Sequence, residues 1–285
     1  MDMERYIDLH THSTASDGTM TPSELIEYAM EKNLAAIAIT DHDTVEGVQQ
    51  VIRNHAVNPY IEVIPGIEIS VEYEGEMHIL GYYIDVEHPL LNQTLERLRE
   101  FRNRRNPKIL EKLNQMGFSI TLDEVAAKAN GEIIGRPHIA AVMQEKGFVS
   151  SINEAFEKYL DVGKPAYVSR QRLTPREGIK LIKDAGGIAV LAHPVYLEKK
   201  GVEFEELLKR LIDDGLDGME CYYATYSKME QDQYLALAAK YNLLVTGGSD
   251  FHGRNKPDID LGTGYGDLKI PYYLLEKIKK GLGRD

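Results

Sequence analysis

The sequence predicts an α/β fold built on a parallel sheet or a β/α barrel, and three observations lead there. Strand-like runs alternate with helix-like runs over the first ninety residues and again in the C-terminal third. Two of the strand-like runs, Ala35 to Ile39 and Gly187 to Ala192, are continuously apolar, the pattern of strands buried on both faces. The 285 residues are 43% hydrophobic and 27% charged, an ordinary globular balance with enough chain for one large domain or two small ones.

Taken in order, Tyr6 to Leu9 reads as a short strand. Thr21-Pro22-Ser23-Glu24 then opens a helix, with Thr21 as cap, Pro22 in the first turn and Glu24 closing a capping box. Leu25, Ile26, Ala29 and Met30 give that helix one apolar stripe. After the strand Ala35 to Ile39, a helix is expected from Val45 to Asn54, then strands from Glu62 to Pro65 and from His78 to Tyr83. Thr174-Pro175-Arg176-Glu177 repeats the capping box and starts a helix to about Ala185. The strand Gly187 to Ala192 follows, then a helix around Phe204 to Asp214 and the strand Gly218 to Cys221. A helix around Met229 to Tyr241 precedes the strand Leu243 to Thr246. Between about His88 and Val168 the pattern is mostly helical, with an apolar stripe through Leu91, Leu95, Leu98 and Phe101. Thr121 to Glu124 caps another helix there, and Pro137 stands near the start of one more. This divides the chain into a barrel, 1–88 and 169–285, interrupted by a helical insertion, 89–168.

Composition narrows the function. No run of about 18 apolar residues is present to span a bilayer, and the N-terminus lacks a secretory signal pattern. One cysteine, Cys221, forms no internal disulfide, so a reducing cytoplasm is the expected setting. A net charge of −12 argues against general adhesion to nucleic acid and against stable duplex DNA binding. An acidic substrate stays open, because bound divalent cations invert the local sign of a pocket.

Ligand-type residues gather at the expected strand ends. Asp8-Leu9-His10-Thr11-His12 is followed by Ser16-Asp17-Gly18, and in extended chain His10 and His12 share a side and can reach one ion. Thr40-Asp41-His42-Asp43 comes directly after an apolar strand, and Gly66-Ile67-Glu68-Ile69-Ser70 precedes His78 by a hairpin length. Ala192-His193-Pro194 and Gly248-Ser249-Asp250-Phe251-His252 complete the set. A lone histidine is more often a surface or satisfied core residue. Six of the nine histidines at strand ends is another matter, since barrel enzymes place their chemistry at the C-terminal ends of strands. His55 and His88 fall outside the clusters and read as surface residues.

These motifs, in this order, resemble the signatures of the PHP family, named for polymerase and histidinol phosphatase domains. The resemblance runs from the first strand to Asp250-Phe251-His252 and implies a distorted seven-stranded β/α barrel holding up to three metals. By that resemblance His10, His12, Glu68 and Asp250 hold one metal. Glu68 bridges to a second, held by His78 and His193, and Asp17, His42 and His252 hold a third. Many family members carry histidine where this chain has Asp17, and the carboxylate favours a harder ion such as manganese or magnesium there. The mixed imidazole and carboxylate donors suit two or three ions of Mn, Fe or Zn, with Mg possible.

The resemblance implies phosphate-ester hydrolysis by a metal-bridging hydroxide held at Glu68 and Asp250, without a protein nucleophile. No Gly-x-Ser-x-Gly elbow or GxxxxGK[ST] loop offers a competing chemistry. In the insertion, Gly135-Arg136-Pro137-His138 puts a bidentate donor and a candidate general acid, His138, at a helix start. Gly163-Lys164-Pro165-Ala166-Tyr167 adds a cation and an aromatic platform. Both segments resemble the insertion of PHP phosphoesterases that act on nucleotides, which makes Arg136, His138, Lys164 and Tyr167 the candidate substrate contacts. Surface salt bridges are the plainer reading of Arg136 and Lys164. The basic cluster Arg97, Arg99, Arg102, Arg104, Arg105 and Lys108 is either a solvated helix face or a surface that steers a polyanion. The expected activity is therefore on a nucleoside 3′,5′-bisphosphate or the 5′ end of a short RNA. Histidinol-phosphate phosphatase and a non-catalytic, metal-bound regulatory domain are the competing readings.

Overall fold

A computed structural model describes residues 5–53, 60–129, 134–169, 171–197 and 200–283. Seven strands carry the frame: β1 Ile7–Asp8, β2 Ala36–Ile39, β3 Glu62–Ser70, β4 His78–Tyr82, β5 Ile188–Leu191, β6 Gly218–Tyr223 and β7 Leu244–Gly248. The helices among and after the first four strands are α1 Pro22–Glu31, α2 Glu46–Arg53, α3 Pro89–Gln115, α4 Leu122–Ala126, α5 Arg136–Glu145 and α6 Ile152–Ala155. Those that follow are α7 Pro175–Asp184, α8 Gly201–Asp213, α9 Lys228–Lys240 and α10 Tyr273–Gly281. The capping boxes at Thr21, Thr121 and Thr174 form as their sequences predict, and Ser227 caps α9 in the same way. The end of the helix expected to reach Asn54, and His55, lie outside the described residues. No described helix is long and apolar enough to cross a membrane.

The strands pair in chain order, β1 to β7. Leu9 N–H donates to Gly247 O at 3.1 Å and Thr11 bridges Phe251, so the ends of the sheet nearly meet and the barrel almost closes. All neighbours are parallel except β4, which runs against both β3 and β5. β3 continues to Ser70 rather than stopping at Pro65, and a tight connection in which Val71 N–H donates to Met77 O leads straight into β4. Pro65 resembles a terminator because it lacks an N–H, yet its carbonyl still accepts from Tyr83 N–H at 2.7 Å. The reversal matters for the site. A parallel strand presents its last residue at the C-terminal rim, whereas β4 presents its first, His78, at the same rim.

Alternation along the strands separates two apolar layers. Ile37, Ile39, Ile67, Ile69 and Leu191 face the surrounding helices. Ala36, Ala38, Ile64, Leu80 and Val190 fill the barrel, with Leu274, Leu275 and Ile278 of α10 packing into the same cluster. A third cluster lies in the helical segment, around Ile109, Leu113, Ile139, Val142 and Leu160. Helix α3 serves two of these cores. Leu91, Leu95 and Leu98 pack with the barrel's outer layer, while Ile109, Leu110 and Leu113, beyond Pro107, belong to the third cluster.

Candidate metal centre

β1 ends at Asp8, and the chain leaves it tied to β7: Asp8 accepts from Ser249 N–H at 2.9 Å, Ser249 Oγ at 2.5 Å and Gly262 N–H at 2.8 Å. That clamp brings the histidines after β1 beside the residues after β7. His10 Nε2 lies 3.3 Å from Glu68 Oε2 and 3.6 Å from Asp250 Oδ1. His12 Nε2 lies 3.3 and 3.2 Å from the same two oxygens. On the other side of Glu68, His78 Nδ1 and His193 Nε2 approach Oε1 at 2.8 and 2.9 Å. Asp17 Oδ1 is 3.3 Å from His252 Nε2, and Asp17 Oδ2 is 4.0 Å from His42 Nε2.

All nine residues singled out as candidate metal ligands thus converge on the C-terminal rim. Their donor atoms form four overlapping groups that could each hold an ion: His12, Asp17, His42 and His252; His10, His12 and Asp250; His10, Glu68 and His193; and His42, Glu68 and His78. One detail differs from the expected division. His42 is shared between the Asp17 end and Glu68, with its Nδ1 2.9 Å from Glu68 Oε2. Backbone strain concentrates here as well. Asp43, His193 and Asp250 are three of the six described non-glycine residues with positive φ. Gly248 allows the approach, since a Cβ there would stand 2.1 Å from His10 Cβ.

The centre fits divalent cations on its own chemistry. His10 Nε2, His12 Nε2, Asp17 Oδ1, His42 Nδ1 and Glu68 Oε2 are buried and make no hydrogen bond among the described residues, and all five point at their neighbours' donor atoms. Buried polar atoms are seldom left so, and here they share one direction. Burial opposes charge on Glu68 and Asp17, yet the surrounding imidazoles hold both well below the usual carboxylate range. Against the same cost of burial, Glu68, Glu220 and Asp250 push His10 well above an ordinary histidine, and Glu68 and Asp17 raise His42 to about 9. Burial and Lys256 push His252 down to about 4. The buried carboxylates call for positive charge, which divalent ions supply.

Several supporting residues escape a motif reading. Glu220, fully buried in β6, places Oε1 3.0 Å from His10 Nδ1 and accepts from His193 N–H through Oε2 at 2.7 Å. A proton on Nδ1 shared with Glu220 leaves His10 Nε2 as the donor atom toward the cage. A carboxylate inside the apolar strand Gly218 to Cys221 was the signal available for it. Asp250 Oδ2 accepts from Tyr223 Oη at 2.7 Å and Lys256 Nζ at 2.6 Å, which turns Oδ1 toward the histidines. Asp41 is a latch that accepts from Ser13 N–H, Ser13 Oγ and Ser16 Oγ. Nothing local in sequence marks Tyr223 or Lys256 for this place.

The candidate substrate contacts divide. Arg136 opens α5, donates through Nη1 to Leu160 O at 2.9 Å and lies over the rings of Phe156 and Tyr167, at 5.4 and 5.9 Å. His138 is buried one turn on, and its Nδ1 accepts from Gly135 N–H at 3.0 Å, so the neutral ring carries its proton on Nε2. Burial pushes His138 below an ordinary histidine, while Asp17 draws it up and Arg102 lowers it. Lys164 is exposed and Tyr167 half-buried. The basic cluster is not one surface. Arg102 and Arg105 are buried, Arg102 pairs with Asp43, and Arg99 pairs with Glu46 and Glu96. Of the two readings of that run, a uniform steering face is therefore excluded for those three. His88 is half-buried at the start of α3, apart from the cage.

The PHP domain model matches residues 8–245. The chain is 37% identical to the 5′-3′ exoribonuclease Rnm of Escherichia coli over 260 residues, 90% of this chain and 87% of that protein. It is 33% identical to the 3′,5′-nucleoside bisphosphate phosphatase of Chromobacterium violaceum over 265 residues, 90% of each chain. A solved structure from Bifidobacterium adolescentis, assigned to the metal-dependent phosphoesterases, superposes with a TM-score of 0.86 at 31% identity, covering 97% of this chain and 96% of that one.

Proposed function

The chain belongs to the PHP domain family, and from that premise we propose that this metal-dependent phosphoesterase hydrolyses a phosphate ester of a nucleotide. The substrate is a short RNA, degraded 5′ to 3′, or a nucleoside 3′,5′-bisphosphate. The observation that carries this reading is convergence: nine imidazole and carboxylate donors meet at one rim, and Arg136 and His138 in the first turn of α5 are the proposed substrate contacts. His10, His12, Glu68 and Asp250, Glu68 with His78 and His193, and Asp17 with His42 and His252 are the proposed ligand sets. Bound there, divalent ions supply activation of water and neutralisation of charge on the phosphoryl oxygens.

The chain's own residues do the rest. Glu68 and Asp250 hold the reaction centre between the ligand sets, and Glu220, Tyr223 and Lys256 fix the orientation of His10 and Asp250. Arg136 and the N-terminal turn of α5 receive phosphate oxygens, with Lys164 and Tyr167 further out. His138 presents Nε2–H as a neutral donor, and a phosphate dianion bound beside it raises its proton affinity toward general-acid use. The helical segment 89–168 is thus assigned to substrate recognition and the barrel to metal binding, in a cytoplasmic protein.

The test is phosphate or nucleotide release by manganese-loaded protein from a nucleoside 3′,5′-bisphosphate, a 5′-phosphorylated oligoribonucleotide and histidinol phosphate. Activity on either nucleotide substrate at least tenfold above histidinol phosphate is expected. Preference for histidinol phosphate, or no release from any of the three, would sink the reading.

A further inference from the structure

A cleft of about 650 Å³ lies away from the cage, between α3 and the extended chain before α7. Lys108, Lys112 and Gln115, on one face of α3, form one wall, and Tyr167, Val168 and Ser169 form the other, with Glu111 also lining it. The depression is open to solvent rather than enclosed. Lys158, Lys180, Lys183 and Lys240 are each held by a carboxylate, while other lysines such as Lys269 and Lys277 lie over tyrosine rings instead. Lys108 and Lys112 have no carboxylate within ion-pair distance among the described residues, and Lys112 Nζ instead donates to Tyr167 O at 2.8 Å. Tyr167 joins the cleft to the proposed phosphate site, because its ring faces the Arg136 guanidinium. From Arg136 the contacts therefore run through Tyr167 to Lys112, with Lys108 one helical turn away.

We infer that this cleft is a subsite for the downstream nucleotides of a single-stranded RNA whose 5′ end occupies the cage. Two unpaired cations spaced one helical turn apart match a phosphate backbone, and Tyr167 offers a ring for a base. A nucleoside bisphosphate ends before the cleft and gains nothing from it. The inference rests on the proposed nucleotide activity but is separable from it, since it concerns only the part of the substrate beyond the first nucleotide.

The experiment compares native protein with Lys108→Glu and with Lys108→Glu/Lys112→Glu, all manganese-loaded, on a 5′-phosphorylated eight-nucleotide RNA and on a nucleoside 3′,5′-bisphosphate. For the double variant, KM for the RNA rises about tenfold with kcat unchanged, while KM for the bisphosphate stays within about twofold. The slope of log KM against log salt falls by about 1.4, at about 0.7 per lost phosphate contact on a single strand. Lys108→Glu, which disturbs no internal hydrogen bond, shows the same direction at about half the size. Equal KM for the RNA in all three proteins, or equal rises for both substrates, would overturn the subsite. If neither substrate is hydrolysed the parent reading fails, and the subsite is then judged by anisotropy of a 3′-labelled single-stranded RNA. Binding weakened by Lys108→Glu keeps it. Unchanged binding, or stronger binding of a polyglutamate peptide than of RNA, removes it.

Discussion

The barrel rim and the helical segment solve opposite problems. At the rim, polar groups that water would normally satisfy are buried and aimed at one another, and several are held from behind: Glu220 holds His10, Tyr223 and Lys256 hold Asp250, and Asp8 and Asp41 hold the loops. In the segment, Arg136, Lys164, Tyr167, Lys108 and Lys112 are partly or fully exposed, and Arg136 and Lys112 donate to backbone carbonyls rather than to carboxylates. The difference teaches where each kind of error is tolerated. A metal cage needs fixed donor atoms and gains them on strand ends, whereas the proposed site for a flexible polyanion needs reach and charge, which exposed side chains on helices with an apolar cluster of their own can give.

Substitutions should separate the two regions. Asp250→Ala removes a proposed ligand grouped with His10 and His12 and is expected to cut turnover by about a thousandfold or more, with KM little altered. Retained turnover would break the division at its strongest point. Glu220→Gln leaves the nine donors in place but loosens His10, and metal affinity by competition with a chelator should fall about 10- to 100-fold. Arg136→Ala should raise KM about 10- to 100-fold, the scale of one charged hydrogen bond, while manganese content stays native. Loss of metal from that variant would show the regions to be coupled.

Two smaller effects sharpen the same contrast. Burial holds His138 below 6.5, so in the metal-free protein its contribution is present above pH 6.5 and is lost as pH falls from there through the lower folded value. The fall in melting temperature between pH 7.5 and 5.5 should therefore be smaller in His138→Gln than in the native chain, and an equal fall would remove His138 from the account. Cys221 is buried within β6 and its thiol is pushed well up by that burial. It should resist a thiol reagent in native buffer and react at once in denaturant.

Much of this was legible before any coordinates, and the reason is local. Capping boxes at Thr21, Thr121 and Thr174 and the apolar runs of β2 and β5 declare themselves within a few residues. His42 and His193 were legible because they follow those runs directly, and the other donors because they cluster in short motifs within or beside the remaining strands. What stayed hidden depends on distance along the chain. Pro65 looks like a strand end unless the return of β4 is known, and the pairing of Arg102 with Asp43 spans 59 residues. Tyr223 and Lys256 gain their roles only because β6 and the loop after β7 converge on one carboxylate oxygen.

The convergence itself is tested most directly by counting metal. Protein stripped with chelator, reloaded with manganese and desalted should carry about two or three ions per chain by elemental analysis, falling by about one or more in Glu68→Gln. Fewer than about 0.1 ion per chain in the native protein, or a native count in Glu68→Gln, would contradict a shared cage at the barrel rim.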